Sequence, residues 1–194
     1  TLLIFDSYQS EYQNKLLTLH PLTEKADIMR DNPNEQLPVV DESGNILGAV
    51  TRGHAHDGSK ILHPVVHLHV FNSRGDLYLQ RRPDWKDIQP GKWDTAVGGH
   101  IDLGENVEKA LRREVGEELG ITDFTPESLG HYVFESQREC ELVYVHRCVY
   151  DSDIRPSTQE LNGGRFWSAA EIESNIGKGV FTPNFESEYQ RFFA

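Results

Sequence analysis

The stretch GHIDLGENVEKALRREVGEELGI, residues 99–121, decides how the rest of the sequence is interpreted. From Asn106 to Leu119 its apolar residues recur every three or four positions, the spacing of a helix that buries one face. Gly120 follows, where helices commonly end in the left-handed conformation. The predicted buried face consists of Val107, Ala110, Leu111, Val115 and Leu119. The pattern therefore predicts an amphipathic helix over residues 106–119.

The predicted helix also carries three carboxylates on one face, since Glu114, Glu117 and Glu118 stand at positions i, i+3 and i+4. Like charges at these spacings destabilise an isolated helix, so a positive partner is needed. The face can simply be solvated, but Arg112 and Arg113 can pair with only some of the carboxylates. Carboxylate oxygens suit Mg²⁺ or Mn²⁺, and the sequence predicts a site for such a cation.

The spacing of the whole stretch is G-x5-E-x7-R-E-U-x-E-E-x-G-U, where U is aliphatic, and every fixed position matches. This is the Nudix box, and the segment resembles that of Nudix hydrolases. The resemblance to this family extends from about Leu37 to the C-terminus. The resemblance implies an α/β fold, a Nudix α/β/α sandwich with a mixed β-sheet and a loop–helix–loop catalytic motif. It also implies hydrolysis of a nucleoside diphosphate that is linked to another group.

The resemblance assigns a role to each fixed residue of the motif. The implied ligands of Mg²⁺ or Mn²⁺ are the carboxylates of Glu114, Glu117 and Glu118 and the carbonyl oxygen of Gly99. Glu105 and Arg113 are expected to join the loop to the helix by a charge-assisted hydrogen bond. Gly99 and Gly120 are expected to serve backbone geometry rather than chemistry.

A second resemblance covers LHPVVHLHVFNSRGDLYLQRRPDWKDIQPGKWDTAVGGH, residues 62–100, which is similar to part of isopentenyl-diphosphate isomerase. That Nudix relative has a separate metal site, and its ligand positions fall on His56, His63, His100, Glu139 and Glu141. Such a set suits Mn²⁺, Zn²⁺ or Mg²⁺. The reactive cysteine of the isomerase, however, falls on Gly98, which offers no acid, base or nucleophile. An isomerase-like subgroup of Nudix hydrolases therefore fits better than an isomerase.

Histidines and glutamates outside the box have alternative interpretations. His63, His67 and His69 alternate in HPVVHLHVF and so face one side of a strand, which suggests the wall of a polar cavity. A single histidine is more often structural, and GHAHDG at residues 53–58 can be a solvated loop. Glu139 and Glu141 in ECEL can be exposed strand residues, or one of them is a further metal ligand or the general base.

Two arginines and two aromatic residues are weaker candidates for substrate binding. Arg81 and Arg82 in LQRR suit a diphosphate, although neighbours in a strand face opposite sides and one can lie at the surface. Trp93 and Phe181 can stack on a base, but core packing is the more common role of a lone aromatic residue.

The domain prediction is an N-terminal extension over residues 1–36, followed by a Nudix hydrolase domain over residues 37–194. The extension has weak periodicity, and we expect one or two short helices there and a role in a homodimer interface. Beyond it, LPVV and ILGAV predict one hairpin, and HPVVHLHVF and LYLQRR predict another. Ser168 and Glu171 predict a helix start with a capping box, and FESEYQRFFA predicts a C-terminal helix.

Composition limits the partners and the compartment. The formal net charge of −12 disfavours nucleic acid and anionic membranes as partners. Neither a run of about 18 apolar residues nor a secretory segment is found, so a cytoplasmic protein is expected. Cys140 and Cys148 share one predicted strand and lie about 26 Å apart, too far for a disulfide, so free thiols are expected.

These observations predict a metal-dependent hydrolase that cleaves a small-molecule diphosphate substrate with the help of Mg²⁺ or Mn²⁺. Glu114, Glu117, Glu118 and Glu141 are the predicted catalytic residues. The first alternative is an isopentenyl-diphosphate isomerase-like enzyme, in which another acid replaces the missing cysteine. The second is a catalytically silent domain that binds a nucleotide, against which the intact box argues.

Overall fold

A mixed β-sheet lies at the centre of the fold in the computed structural model, which describes residues 32–86 and 88–194. Residues 33–194 form one compact unit. The short helices predicted for the extension would fall within residues 1–31, which lie outside the described residues. The division of the chain at residue 37 stays a prediction.

The described residues form nine strands and four helices. The strands are β1 (Gln36–Val40), β2 (Ile46–Thr51), β3 (Leu62–Phe71), β4 (Leu77–Arg81), β5 (Trp93–Asp94), β6 (Val97–His100), β7 (Glu127–Glu135), β8 (Cys140–Val149) and β9 (Gly164–Trp167). The helices are α1 (Arg52–Ala55), α2 (Val107–Leu119), α3 (Ala169–Asn175) and α4 (Pro183–Phe192).

The large sheet has the order β5-β4-β3-β8-β7, with β6 also paired to β3 and β9 to β4. Strands β3 and β8 run parallel, from Leu62 beside Cys140 to Phe71 beside Val149. The other pairs of this sheet are antiparallel, including the predicted β3–β4 hairpin. Strands β1 and β2 form a separate antiparallel hairpin, as predicted. The predicted α/β class with a mixed sheet is confirmed.

Helices cover both faces of the sheet. On one face, α2 packs its predicted apolar residues against the aliphatic side chains of β3, among them Val66 and Leu68. On the other face, Phe185 of α4 and Ile172 of α3 pack with Leu79 of β4. Burying each such side chain stabilises the fold by about 1.5–3 kcal/mol, which fixes the helices to the sheet. The predicted α/β/α sandwich is confirmed.

Local sequence signals set the helix ends. The Asn106 side chain accepts a hydrogen bond from the backbone N–H of Lys109 at 2.9 Å, and Gly120 ends α2 with φ at 67°. The capping box predicted at Ser168 and Glu171 is present. No helix within the described residues is long and apolar enough to span a membrane.

Two elements differ from the sequence prediction. The GHAHDG stretch, expected to be a loop, begins inside helix α1, and His56 takes the C-cap position of that helix. The C-terminal helix begins earlier than predicted, at Pro183, because Thr182 accepts a hydrogen bond from the backbone N–H of Phe185 and so caps it. Cys140 and Cys148 are buried free thiols on β8, as predicted.

Candidate active site and metal centres

Strand β6 separates two clusters of polar side chains. Successive residues of a strand point to opposite faces, and here Gly99 faces helix α2 while Gly98 and His100 face the side covered by α4. The carboxylates of the Nudix-box residues lie on the first side. The imidazoles and a second group of carboxylates lie on the other.

The carboxylate of Glu114 rests on the backbone of Gly99, where the β-carbon of any other residue would collide with it. The Glu114 side chain is 14% exposed. Burial raises the pKa of its carboxyl to about 7, against the attraction of the Arg113 guanidinium. A carboxyl with this pKa is poised to lose its proton when a cation arrives.

Glu118 is also partly buried, whereas Glu117 is exposed. The Oε2 atom of Glu118 accepts hydrogen bonds from Gln80 Nε2 at 3.3 Å and from the backbone N–H of Gly98 at 3.4 Å. Burial raises the pKa of Glu118 well above its usual value, and the nearby charge of Glu114 raises it further. The Glu117 side chain is 58% exposed.

Arg113 connects the predicted motif residues. Its guanidinium donates to Glu105 Oε2 at 2.8 Å, to Glu114 Oε1 at 2.7 Å and to Glu117 Oε2 at 3.2 Å. It also donates to the carbonyl oxygen of His100 at 3.0 Å. The hydrogen bonds from Arg113 lower the pKa of Glu105, which therefore stays ionised. The expected Glu105–Arg113 bond is thus present, and the same arginine reaches the strand that carries the second cluster.

On the other side of β6, three imidazoles converge. His56 Nε2 lies 3.3 Å from His63 Nε2 and 3.2 Å from His100 Nε2. One ligand atom from each ring lies within 4.8 Å of the other two, the one such set found among the described residues. The carboxylates of α2 are not gathered as closely, since each has its own partners in Arg113 or Gln80.

Two of these rings are kept neutral, but their tautomers differ. Arg52 Nη1 lies 3.4 Å from His100 Nδ1, which must accept, so a neutral His100 carries its proton on Nε2. His63 Nδ1 donates to the carbonyl oxygen of Ile61 at 2.9 Å, which leaves Nε2 as the acceptor that faces the centre. Burial lowers the pKa of His63 and lowers that of His100 strongly, and the Arg52 guanidinium adds to both effects. Neutral imidazoles with converging nitrogens are the form in which histidine binds a divalent ion.

The two carboxylates predicted to join this centre are buried beside it. Glu139 Oε2 lies 3.9 Å from His56 Nε2. Glu141 stands directly opposite His63 across the parallel β3–β8 pair, and both glutamates are at most 9% exposed. Burial raises the pKa of Glu141 to about 8, and the charge of Glu139 contributes. All five predicted residues of the second site therefore lie in one region, and neither glutamate is an exposed strand residue.

His67 and His69 are separate from the imidazole cluster, although they share its face of β3. Both bind the buried carboxylate of Glu188 on α4, at 2.8 Å from His67 Nδ1 and 2.7 Å from His69 Nε2. Tyr132 donates a third hydrogen bond to Glu188 at 2.8 Å. Sequence reasoning assigned Glu188 only to the C-terminal helix, and its place on the apolar face of that helix is the signal that could have identified it.

The predicted substrate arginines differ in their surroundings. Arg82 donates from Nε and Nη2 to the carbonyl oxygen of Ile88, and from Nη1 to Asp94 Oδ2 at 3.1 Å. It therefore holds the loop that follows β4. Arg81 is exposed at the end of β4. Binding of substrate by either arginine stays a prediction, while Phe181, at 1% exposure, is a core residue.

Comparison with known proteins places this arrangement in a family. The family model of the NUDIX domain matches residues 61–185, well over half of the chain. The chain belongs to the Nudix hydrolase family.

Other members of the Nudix family show how the chain is related within it. A Nudix hydrolase of Pseudomonas aeruginosa is 33% identical over 132 residues, covering 68% of this chain and 78% of that protein. A protein named isopentenyl-diphosphate Delta-isomerase, from Halorhodospira halophila, is 32% identical over 143 residues, covering 70% of this chain and 80% of its own length. Both kinds of Nudix protein named in the sequence analysis are thus relatives.

Solved structures confirm the Nudix fold. The crystal structure of a Deinococcus radiodurans protein matches with a TM-score of 0.72 at 24% identity, covering 82% of this chain and all of that one. A MutT protein from Methanosarcina mazei matches with a TM-score of 0.59 at 26% identity, covering 69% of this chain and 94% of that one.

Proposed function

We propose that this Nudix hydrolase cleaves the diphosphate linkage of a small molecule and depends on Mg²⁺ or Mn²⁺ held by Glu114, Glu117 and Glu118. The observation that supports this most is the partial burial of two of these carboxylates, Glu114 and Glu118, against the backbone of Gly98 and Gly99. Burying an ionised carboxylate without a positive partner costs folding free energy, and a bound divalent cation offsets that cost.

The residues of the acidic site fit a hard divalent cation. Their donor atoms are carboxylate oxygens, with the carbonyl oxygen of Gly99 as the predicted backbone ligand. The absence of a β-carbon at Gly99 leaves room for the Glu114 carboxylate beside the strand. The raised pKa values of Glu114 and Glu118 come first from burial, and a nearby positive charge favours the ionised forms of both.

The reaction follows from the charges of the site. A cation held by these glutamates would supply positive charge for the diphosphate oxygens and would lower the pKa of a bound water. The oxygen of water forms a bond to phosphorus and the bridging P–O bond breaks, so each fragment leaves with one phosphate. A site carboxylate takes the proton of the water. The candidates for this general base are Glu114, Glu117, Glu118, Glu139 and Glu141.

The histidine centre is proposed as a second metal site, with His56, His63, His100, Glu139 and Glu141 as its ligands. Imidazole nitrogens with carboxylate oxygens suit Mn²⁺ or Zn²⁺. The support for this site is the convergence of three imidazole nitrogens at 3.2–3.3 Å beside buried carboxylates.

The function is tested by a substrate screen with Mg²⁺ and with Mn²⁺. The panel contains nucleotide sugars, dinucleotides, oxidised nucleotides and prenyl diphosphates, and released phosphate or monophosphate is measured. We expect Glu118→Gln to lower kcat at least about a hundredfold. The matched control is Glu108→Gln on the same helix, whose 71% exposed side chain pairs with Arg112 away from the site. Equal activity of Glu118→Gln and Glu108→Gln would refute the proposal.

An isomerase-like activity is the second candidate, and the histidine centre with the isomerase relative favours it. The glycine at position 98 opposes it, because glycine cannot exchange a proton with the substrate. Incubation with isopentenyl diphosphate and each metal, followed by a search for dimethylallyl diphosphate, decides between the two. A silent nucleotide-binding domain would give neither hydrolysis nor isomerisation in these assays.

A further inference from the structure

His67 lies next to the histidine centre, and its side chain is bonded to a glutamate outside the imidazole cluster. Its Nδ1 atom lies 2.8 Å from Oε1 of Glu188, an acid at 0% exposure. The other oxygen of Glu188 is bound by His69 Nε2 at 2.7 Å. Since a carboxylate only accepts, Nδ1 of His67 must donate, and the ring orientation is fixed.

The remaining ring nitrogen of His67 points across the neighbouring strand. His67 and Gly98 are direct partners in the antiparallel β3–β6 pair. A β-carbon at position 98 would lie 3.2 Å from His67 Nε2 and 3.3 Å from His67 Cδ2. The imidazole therefore occupies the space into which a side chain at position 98 would project, and the glycine makes this placement possible.

His67 differs from its neighbour His69 in access to solvent. The His67 side chain is 8% exposed, whereas that of His69 is 0% exposed. His69 Nδ1 is buried and has no hydrogen-bond partner among the described residues. The ring of His69 therefore does not reach solvent. Of the two histidines bound to Glu188, His67 is the one with access to a ligand from solvent.

The strand registers place His67 beside the proposed metal centre. His100 pairs with Val65, and His67 is the next residue along the same face of β3. The charges that face His67 are those of Glu188, Glu141 and Asp94. Burial alone lowers the pKa of His67, but the charge and hydrogen bond of Glu188 outweigh it and raise the pKa to about 9. The ring is therefore an imidazolium at neutral pH, with an N–H at both nitrogens.

We propose that His67 is a substrate-binding residue whose Nε2–H donates to an anionic oxygen of a diphosphate group, and that Glu188 is its positioning residue. The proposal rests on the proposed function, the cleavage of a diphosphate. An anionic oxygen is the fitting acceptor because the hydrogen bond of the His67 side chain to Glu188 uses Nδ1 and leaves Nε2 to a ligand. A protonated ring cannot ligate a metal, which separates His67 from the three imidazoles of the centre.

The alternative role is structural, in which Glu188 merely ties α4 to the sheet through His67, His69 and Tyr132. The two roles differ in one respect. A structural role predicts similar effects of changes at His67 and His69, because both bind the same carboxylate. A binding role predicts that only changes at His67 weaken a bound diphosphate.

The test uses methylenediphosphonate, a diphosphate analogue that cannot be hydrolysed, with the full chain and Mg²⁺. We expect His67→Gln to raise its Kd about tenfold or more, the effect of losing one charged hydrogen bond, while His69→Gln leaves the Kd within about twofold. Glu188→Gln should raise the Kd as well, since the imidazolium loses its counter-charge. Equal Kd values for wild type and His67→Gln would overturn the proposal.

A second measurement on the unmodified protein covers the case in which a variant fails to fold. The ¹H–¹⁵N signals of the imidazoles are recorded with and without methylenediphosphonate, and the Nε2 signal of His67 should move while that of His69 should not. No movement at His67, or no binding of the analogue, contradicts the inference. Because neither readout needs turnover, movement at His67 without hydrolysis of any diphosphate would retain this inference and remove the proposed hydrolase function alone.

Discussion

The Glu114 carboxylate is seated on the backbone of Gly99, and no β-carbon can be placed there without a collision. This contact joins helix α2 to strand β6, so the first glycine of the Nudix box and its first clustered glutamate form one unit. On the opposite face of the same strand, His100 belongs to the imidazole centre. The packing of one strand therefore determines the geometry of both clusters.

The first prediction is that Gly99→Ala displaces Glu114 and lowers activity. The added methyl group must push the carboxylate away from β6, which costs about 1–3 kcal/mol of unfolding free energy as overpacking does. We expect kcat to fall about tenfold or more, with the loss measured on whichever diphosphate the screen identifies.

The control for this substitution is Gly116→Ala, in the last turn of α2, the helix that carries Glu114. A β-carbon at Gly116 meets no atom within 4 Å. Alanine favours a helix interior over glycine by about 1 kcal/mol, so this variant should be as stable as the wild type or more stable, with unchanged kcat. If Gly99→Ala has the same kcat as Gly116→Ala, the close contact between Gly99 and Glu114 is not needed for activity.

The second prediction concerns Arg113, which binds three carboxylates and the carbonyl oxygen of His100. Lysine keeps the charge but cannot form the forked hydrogen bonds of a guanidinium. Arg113→Lys should lower the unfolding free energy by about 1–3 kcal/mol, because Glu105, 6% exposed, loses its partner. Urea unfolding measures this. Arg112→Lys, which alters an exposed pair with Glu108, should change it by less than about 0.5 kcal/mol.

The third prediction is that the two clusters bind metal independently. After dialysis against a chelator and then against Mn²⁺, His100→Asn should hold about one equivalent less than the wild type, because three converging imidazoles become two. Glu118→Gln should leave that equivalent in place. His54→Asn is the control, since His54 is an exposed histidine that pairs with Asp57. Undiminished Mn²⁺ in His100→Asn would show that the imidazoles are not a metal site.

The acidic helix could be predicted from the sequence because its information is local. A helical period, an N-cap at Asn106 and a glycine at position 120 act within a few residues of one another. The bond between Glu105 and Arg113 also follows from their fixed spacing across one loop and two helical turns. The grouping of His56, His63 and His100 came from resemblance, since no local period connects a helix end, a central strand and a second strand.

The partners of His67 and Arg82 could not be predicted, because they lie far away along the chain or depend on the path of a loop. Glu188 is separated from His67 by 121 positions. The carbonyl oxygen of Ile88 reaches Arg82 only because the intervening loop folds back. One signal was available: Glu188 lies between Phe185 and Tyr189 on the apolar face of α4, and an acid on such a face requires a buried partner.

The last prediction uses the pH dependence of the His67–Glu188 pair. Facing His67 are the carboxylates of Glu188, Glu141 and Asp94, together with the hydroxyl of Tyr132, whose pKa is raised by burial so that it stays neutral. The pKa of His67 is about 9 in the folded chain, above its ordinary value of 6.5. A raised pKa means that the folded state holds the proton more tightly, so the stabilisation is full below pH 6.5 and is lost as the pH rises through 9.

We therefore expect the difference in unfolding free energy between wild type and His67→Gln to shrink from pH 7 to pH 10. The mutual attraction of imidazolium and carboxylate exists only in the wild type, and it disappears when His67 loses its proton. Urea unfolding of both proteins, with a chelator present to keep the metal sites out of the comparison, measures the difference at each pH. His54→Gln, at an exposed position, should follow the wild type throughout. A His67→Gln difference that stays constant over this range would mean that His67 is already neutral at pH 7, and the buried carboxylate of Glu188 would then lack its cation.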